Sequence, residues 1–386
     1  MTAKEALWAQ QNEALRHPSE LFGSSFDVAG ITKDTLKFRA SASFIQLLHQ
    51  LQITLFASRE YENLLIALSP GSAGKLKQSF FHLPHPSGIA VDRVNNKMYV
   101  AATRNPNQVI EFQPAKTYLK RLTAGKPQPL KMRPSRAKYY PGEYYFHDLA
   151  VDNGQLYANS VGMNCVLKID MNNPAPELPY WWPKCVEKDG LPDTRANFIQ
   201  LNSIALGVNF KDSYFSASGS RITAIRPGHL DYPVDRQGVI FSCATGEPVG
   251  RGLTRPHAAR LHNGKVWVAN SGYGEVGYIH NGDFLPVFKL NGWTRGLCFI
   301  GDILFVGLSR VLPRFRHYAP GITTKTQECA IVALDLVEKR IIGDIKFPFG
   351  NQIFGIDFMS SALCTGLPFT VLRKTSAEKK IFSVSL

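Results

Sequence analysis

Long apolar runs are missing from the 386-residue chain. No stretch approaches the roughly 18 consecutive apolar residues of a membrane span, so no membrane partner is expected. Cysteine is sparse: Cys165, Cys185, Cys243, Cys298, Cys329 and Cys364 are widely spaced, with no CxxC pair and no short disulfide framework. They read as buried thiols in a reducing compartment. The amino-terminal stretch MTAKEALWAQQNEALRHPSE lacks the apolar centre of a signal peptide, so a cytoplasmic protein is expected. Also missing are a Walker loop, a GxGxxG between strand and helix, a GxSxG elbow and an HExxH pair. Nucleotide, dinucleotide, serine-hydrolase and zincin chemistry therefore lack sequence support. Acidic residues are scarce, 30 against 44 Lys and Arg, a net charge of +14 that favours anionic partners through its long-range field. The cations are dispersed, and the densest cluster, Lys116 to Lys138, lies among prolines and reads as a solvated loop. No groove-reading or base-stacking motif accompanies it, so no nucleic-acid partner is expected.

What is present is a recurring strand pattern. From Gly252 to Ile279 three short apolar runs are separated by His262-Asn263-Gly264 and Ser271-Gly272-Tyr273-Gly274, the punctuation of antiparallel hairpins. Similar units begin at Leu83, Tyr145, Gln200, Trp293 and Gln352. Aligning them at Gly88, Asp148, Ser203, Ala258, Gly296 and Gly355 gives six repeats. Strand-only repeats of roughly 40–60 residues predict a β-propeller. The last repeat is short and the strands at Ile53 to Leu68 have no repeat of their own. The expected fold is therefore all-β, a six-bladed propeller over residues 52–386 closed by pairing of its N- and C-terminal strands. A helical extension over residues 1–51 precedes it, with helices from about Thr2 to Leu15 and Ser43 to Leu51 packed outside the main body. Thr117 to Gly142, Pro174 to Phe198 and Leu312 to Gln327 are expected as rim loops, the usual location of binding residues.

In a propeller the innermost strands line a central channel, so residues before them converge although far apart in sequence. That places His85, Ser87, His147, Asn202, His257, Arg295 and Gln352 at one mouth. His85, His147 and His257 form a candidate ligand set for a divalent metal, zinc or iron, which would acidify bound water or polarise a carbonyl. The bland role for these imidazoles is hydrogen bonding that locks one blade to the next. Arg295 is a candidate anion clamp, able to grip a carboxylate, phosphate or sulfate with two donors, or else an inter-blade ion pair. Asn202, Arg260, Gln352 and Ser87 are candidate substrate contacts. Glu275 and Glu143 are the nearest carboxylates for acid–base work.

Several blocks carry a family likeness: Leu55–Tyr61, Tyr145–Leu149, Leu201-Asn202, Gly252–Arg260 with Ser271–Glu275, and Thr294–Leu297 with Phe305–Ser309. On these the chain resembles an uncharacterised bacterial family of propeller-like conserved hypothetical proteins. The resemblance supports the fold and assigns no reaction. Gln200 stands where the family pattern suggests histidine, so a three-histidine metal site has to recruit His85, accept Gln200, or be absent. A histidine before an inner strand is also similar to six-bladed zinc-dependent amidating lyases, an analogy of fold alone.

Three functional readings follow. The first is an enzyme, with lyase, hydrolase or isomerase chemistry, acting on a small anionic or peptide-like substrate with His147, His257 and Arg295 as catalytic residues and a histidine-held metal. The second is a noncatalytic propeller that binds a protein or peptide across its rim. The third is metal-free acid–base catalysis by His147 and His257, which survives chelation.

Overall fold

Asparagine–glycine pairs close the tightest hairpins. Asn153-Gly154, Asn263-Gly264 and Asn281-Gly282 all take left-handed backbone at both positions, the mirror-image turn whose twist suits antiparallel strands. They join Phe146–Asp152 to Gln155–Ser160, Pro256–His262 to Lys265–Asn270, and Glu275–His280 to Asp283–Lys289. The computed structural model describes residues 34–104, 107–114, 130–323 and 327–370, with Thr2, Ala3 and Ala6.

The strands assemble into antiparallel sheets that each run from an inner to an outer strand in chain order. Pro86–Asp92, Lys97–Ala102, Asn107–Pro114 and Met132–Tyr140 make one sheet. Phe146–Asp152, Gln155–Ser160, Cys165–Ile169 and Pro179–Trp181 make the next. The eight-stranded sheet is two such runs, starting at Leu201–Ala205 and Pro256–His262, joined only by one parallel pair, Arg251 with Asp283. Trp293–Ile300 begins another. The last combines the two ends of the described chain: Ile356–Ser360 pairs with Ile53–Arg59, in register from Ile53↔Ser360 to Ala57↔Ile356. Each inner strand packs on the inner strand of the next sheet, and Ile356–Ser360 returns to Pro86–Asp92, so the ring closes. This is a β-propeller, with its edges protected by closure.

Three expectations need correction. Met132–Tyr140 is an outer strand rather than part of a rim loop, and its charged residues sit where an edge strand needs them. The 174–198 segment contributes the outer strand Pro179–Trp181 and a small hairpin of Glu187–Lys188 with Leu191–Pro192. The helix Ala42–Leu51, capped by Ser41 Oγ accepting from the Phe44 amide at 3.2 Å, does not stand apart. It buries Phe44, Leu47 and Leu48 in the core shared by the two sheets at the chain ends, with Phe44 edge-on to Phe305. Just before it, Arg39–Ala40 adds a fifth strand beside Arg340–Phe347. The expected helix at Thr2 to Leu15 lies outside the described residues except for Thr2, Ala3 and Ala6.

Neighbouring sheets are stapled by small polar side chains. Ser87 Oγ donates to the Phe146 carbonyl at 2.7 Å, Asn159 Nδ2 to Leu201 O at 2.6 Å, and Asn202 Nδ2 to Pro256 O at 2.8 Å. Ser271 Oγ donates to Thr294 O at 2.6 Å and Ser309 Oγ to Ile353 O at 3.1 Å; Ser58 Oγ donates to Ser87 O. Five of these acceptors lie two residues before the aligned positions, so the bond recurs around the ring. Asn159 also accepts from the Asp148 amide. Asn159→Ala therefore orphans two buried backbone groups and is expected to lower stability by about 2–3 kcal/mol, read as a lower urea midpoint at unchanged slope.

Candidate functional site at the channel mouth

The inner strands are bulged near the same place. Pairing register slips between Pro86 and Ile89, Leu201 and Ser203, His257 and Arg260, and Arg295 and Leu297, and the Phe146 strand slips opposite Ala158 and Ser160. A bulge re-aims the side chain beside it. Here it presents His147, Asn202, His257 and Arg295 to the axis, where they line one interior cavity of about 10 Å³, roughly the room of one water.

The contacts form a chain. Arg295 Nη2 lies 2.8 Å from His257 Nε2. A guanidinium only donates, so Nε2 is the acceptor and the proton sits on Nδ1, which faces the Arg255 carbonyl at 2.8 Å and Ser271 Oγ at 3.0 Å. On its other side Arg295 Nη1 donates to the Gln352 amide oxygen at 2.7 Å, and the Gln352 nitrogen donates to Glu60 Oε2 at 2.7 Å. Thr103 Oγ1 donates to the other oxygen of Glu60. Arg255 Nη1 donates to Gln200 Oε1.

Aromatic rings carry the cations. Arg295 lies 4.4 Å over Phe354 and 5.2 Å over Trp293, Arg255 lies 4.2 Å over Tyr318, and Arg314 lies 4.6 Å over Phe315. Phe315 and Tyr318 come from the 3₁₀ turn Pro313–Tyr318, part of an expected rim loop. With Tyr232 and Val234 from an unforeseen loop after Ala217, they pack over Trp293 and bury the mouth.

Burial and the guanidiniums set the electrostatics. Burial first, then Arg295 and Arg255, hold His147 and His257 well below the usual imidazole range, so both are neutral at pH 7. Burial lowers His85 to about 4. Burial, with Glu60 adding to it, pushes the Tyr61 phenol up to about 12. Arg255 is lowered by burial to about 10 and stays charged. Buried donors and acceptors without a partner cluster here: His85 Nδ1, His147 Nδ1, Asn202 Oδ1, Trp293 Nε1 and the Nε atoms of Arg255 and Arg295. Other such atoms are spread over the rest of the described chain, among them Arg59 Nε and Tyr140 OH, but these six lie around one mouth, where a polar ligand could satisfy them.

His147, His257, Asn202, Arg295 and Gln352 are thus gathered at the mouth, and His85 lies close enough to feel Glu60 and Arg104. Ser87 is spent on its inter-sheet bond. Arg260 points into the floor, gripped by Asp148 at 2.6 and 3.0 Å. The metal expectation does not fit. Among the described residues no three His, Cys, Asp or Glu side chains are placed to hold a metal ion. His147 and His257 stand face to face with ring centres 6.5 Å apart, and a guanidinium occupies the free nitrogen of His257. Glu275 instead takes Asn270 and Lys289, and Glu143 is exposed; Glu60 is the carboxylate at the mouth. Arg255 and Glu60 were missed. Arg255 sits three residues before Ala258, as His85, Gln200 and Gln352 sit before their own aligned residues, and that spacing was the available signal.

The fold and this mouth define a β-propeller with a cationic, imidazole-lined channel entrance. The chain belongs to the family described as a domain of unknown function, DUF4915, whose model matches residues 42–367. It matches no curated protein. Among solved structures it is similar to a nidogen/laminin complex chain, at 12% identity and TM-score 0.49, covering 81% of this chain and 99% of that one. It is also similar to a streptogramin B lyase, at 14% and 0.38, covering 76% and 75%. The WD40 propeller domain of Doa1 matches at 10% and 0.43, covering 66% and 86%. At such scores the architecture rests on the strand pairing above. No described helix is long and apolar enough to cross a membrane.

Proposed function

We propose that the chain is a six-bladed propeller, counting the eight-stranded sheet as two blades, that binds a small anionic substrate at this mouth and moves a proton on it. One contrast carries the reading. The buried cations Arg59 and Lys138, and the half-buried Arg260, each have a carboxylate partner, Glu62, Glu177 and Asp148. Arg255 and Arg295 are as deeply placed, yet among the described residues neither has an ion pair. A buried guanidinium without an anion is expensive, and a ligand's acidic group removes that cost.

His147 is the acid–base candidate. Its Nδ1 makes no hydrogen bond of normal geometry, although the Asn202 amide lies close enough to favour its charged form, and it is neutral, so it can accept a proton and return it to another atom, as lyase and isomerase steps require. The field of Arg295 and Arg255 weakens it as a base. A bound anion offsets that field and strengthens the base when substrate arrives. His257, locked between Arg295 and the Arg255 carbonyl, positions the clamp.

Calorimetry with acetate and inorganic phosphate tests the reading. The wild type is expected to bind at least one of them, unaffected by chelator. The double variant Arg255→Gln/Arg295→Gln, folded by circular dichroism, is expected to bind at least 100-fold more weakly. Equal binding by wild type and variant would remove the proposal. The rival, a noncatalytic peptide-binding rim, draws on one observation: Ile222, Ile225 and Leu230 are 42%, 42% and 74% exposed on the loop after Ala217. It predicts that changing those three residues, and neither arginine, abolishes the interaction.

A further inference from the structure

Arg260 lines both the one-water space at the mouth and a second cavity of about 250 Å³. The mouth's His147, Asn202, His257 and Arg295 each stand one residue before an aligned position. The residues around the second cavity all follow those positions, so it lies at the opposite end of the channel. There the sequence repeats a different chemistry. The third residue after every aligned position is apolar: Val91, Val151, Leu206, Leu261, Phe299 and Phe358. The first five line the cavity, and Val151, Leu206, Leu261 and Phe299 are only half-buried. By contrast Ile89, Leu149, Ile204, Leu297 and Ile356, directly after their aligned positions, are buried to within 3%. Successive inner strands thus leave apolar surface uncovered at one level of the channel. The cavity opens to solvent beside Arg93, whose side chain is 49% exposed.

The charges on its wall are matched among themselves. Arg93 Nη2 donates to Asp357 Oδ1 at 2.6 Å, and Asp357 Oδ2 takes the Val91 amide at 2.8 Å. Arg260 holds both oxygens of Asp148, at 2.6 and 3.0 Å, and Nη1 also donates to the Ala259 and Ile204 carbonyls at 2.8 and 3.2 Å. Each cation has its own anion, so the cavity offers a further ion no free counter-charge. One donor is left over. Arg260 is 22% exposed, and its Nε–H has no protein acceptor among the described residues.

We propose that this end of the channel binds a small, uncharged and mostly apolar molecule carrying one acceptor oxygen for Arg260, a ketone or ester rather than an acid or an amine. The site is separate from the anion-binding mouth, and neither reading depends on the other. The cavity has the room of about eight waters at about 30 Å³ each, which sets a ligand of roughly ten non-hydrogen atoms. It is smaller than the roughly 300–1,000 Å³ that drug-sized ligands occupy. Water against Leu206, Leu261 and Phe299 finds few hydrogen-bond partners, so an apolar body that displaces it gains affinity. A charged ligand sheds its own hydration and meets only ions that are already paired.

Calorimetry on the full chain with probes of one ring size tests this. Acetophenone is uncharged with an acceptor, ethylbenzene uncharged without one, benzoate an anion and benzylammonium a cation. Acetophenone is expected to bind, and ethylbenzene to displace it with an affinity about 3- to 10-fold lower, the loss of one hydrogen bond. Benzoate and benzylammonium are expected to displace it about 100-fold less well than ethylbenzene does. Leu206→Gln, which makes the wall polar, and Val151→Trp, which fills the space, are each expected to weaken acetophenone by about 10-fold or more. A crystal soaked in para-bromoacetophenone locates the ligand even if neither variant folds, with the bromine's anomalous signal expected beside Leu206, Leu261 and Phe299. Failure of both uncharged probes to bind, displacement by a charged probe as effective as by ethylbenzene, or bromine found only elsewhere would each overturn the proposal. Equal affinity for acetophenone and ethylbenzene would overturn the assignment to a ketone or ester.

Discussion

Asp148→Ala is expected to lower the unfolding free energy by about 2–3 kcal/mol, the cost of leaving a half-buried cation and a buried backbone amide without their partner. The Asp148 carboxylate accepts from Arg260 Nη1 at 2.6 Å and Nη2 at 3.0 Å, from the Ile204 amide at 3.0 Å and from the Leu149 amide at 3.1 Å. It thereby ties three consecutive inner strands together below the mouth. Urea unfolding measures the effect, and the compensated pair Asp148→Leu/Arg260→Met separates charge from packing. Replacing both ions with apolar groups of similar length removes the orphaned charge, so the double variant is expected to recover most of the loss. A single-variant loss under about 1 kcal/mol would mean that Arg260 is rehydrated from the cavity of about 250 Å³ beneath it, which it lines with Leu149, Ile204, Leu261 and Phe299.

The difference between Arg260 and Arg295 shows what the sequence could and could not tell. Period-two spacing and turn residues located the inner strands, and the aligned position placed His147, Asn202, His257 and Arg295 on one axis. The same alignment contained Arg255, two residues before His257 and on the same side of the chain. Flanked by Thr254 and Pro256, it reads as a loop residue, and only the left-handed turn at its backbone, φ 53°, brings it inward. Glu60 escapes for another reason: it lies in the turn after Ile53–Arg59 rather than just before an inner strand, so the alignment that collects the other groups does not include it. Three histidines before inner strands suggested a metal because spacing reveals convergence and not what stands between the converging groups. Here a guanidinium occupies the free nitrogen of His257, which a metal ion would have needed. The edge strand at Met132–Tyr140 was read as a loop because the charges that protect an edge are also those of a solvated segment.

Stability is expected to fall steeply as pH drops below about 6.5. Unfolded imidazoles take up protons near that value. In the fold His85 does so only near 4, and His147 and His257 lower still, because burial, with the neighbouring guanidiniums, disfavours their charged forms. Between the two ranges unfolding binds protons, so the stabilisation is complete above pH 6.5 and is lost progressively on acidification. Each imidazole contributes a slope of up to about 1.4 kcal/mol per pH unit, and the three together up to about 4. Glu62 acts in the opposite direction. Burial raises its carboxyl, so its contribution is present in acid and lost as pH rises. Urea midpoints at pH 7.5, 6.5, 5.5 and 5.0 measure the net slope, and His85→Gln is expected to flatten it by about one proton. An anion bound at the mouth would raise the proton affinity of His147 and His257 and flatten it further. A midpoint that stays constant from pH 7.5 to 5.0 and is unchanged by His85→Gln would mean that these imidazoles titrate alike in the folded and unfolded chain, and that burial does not keep a neutral base at the mouth.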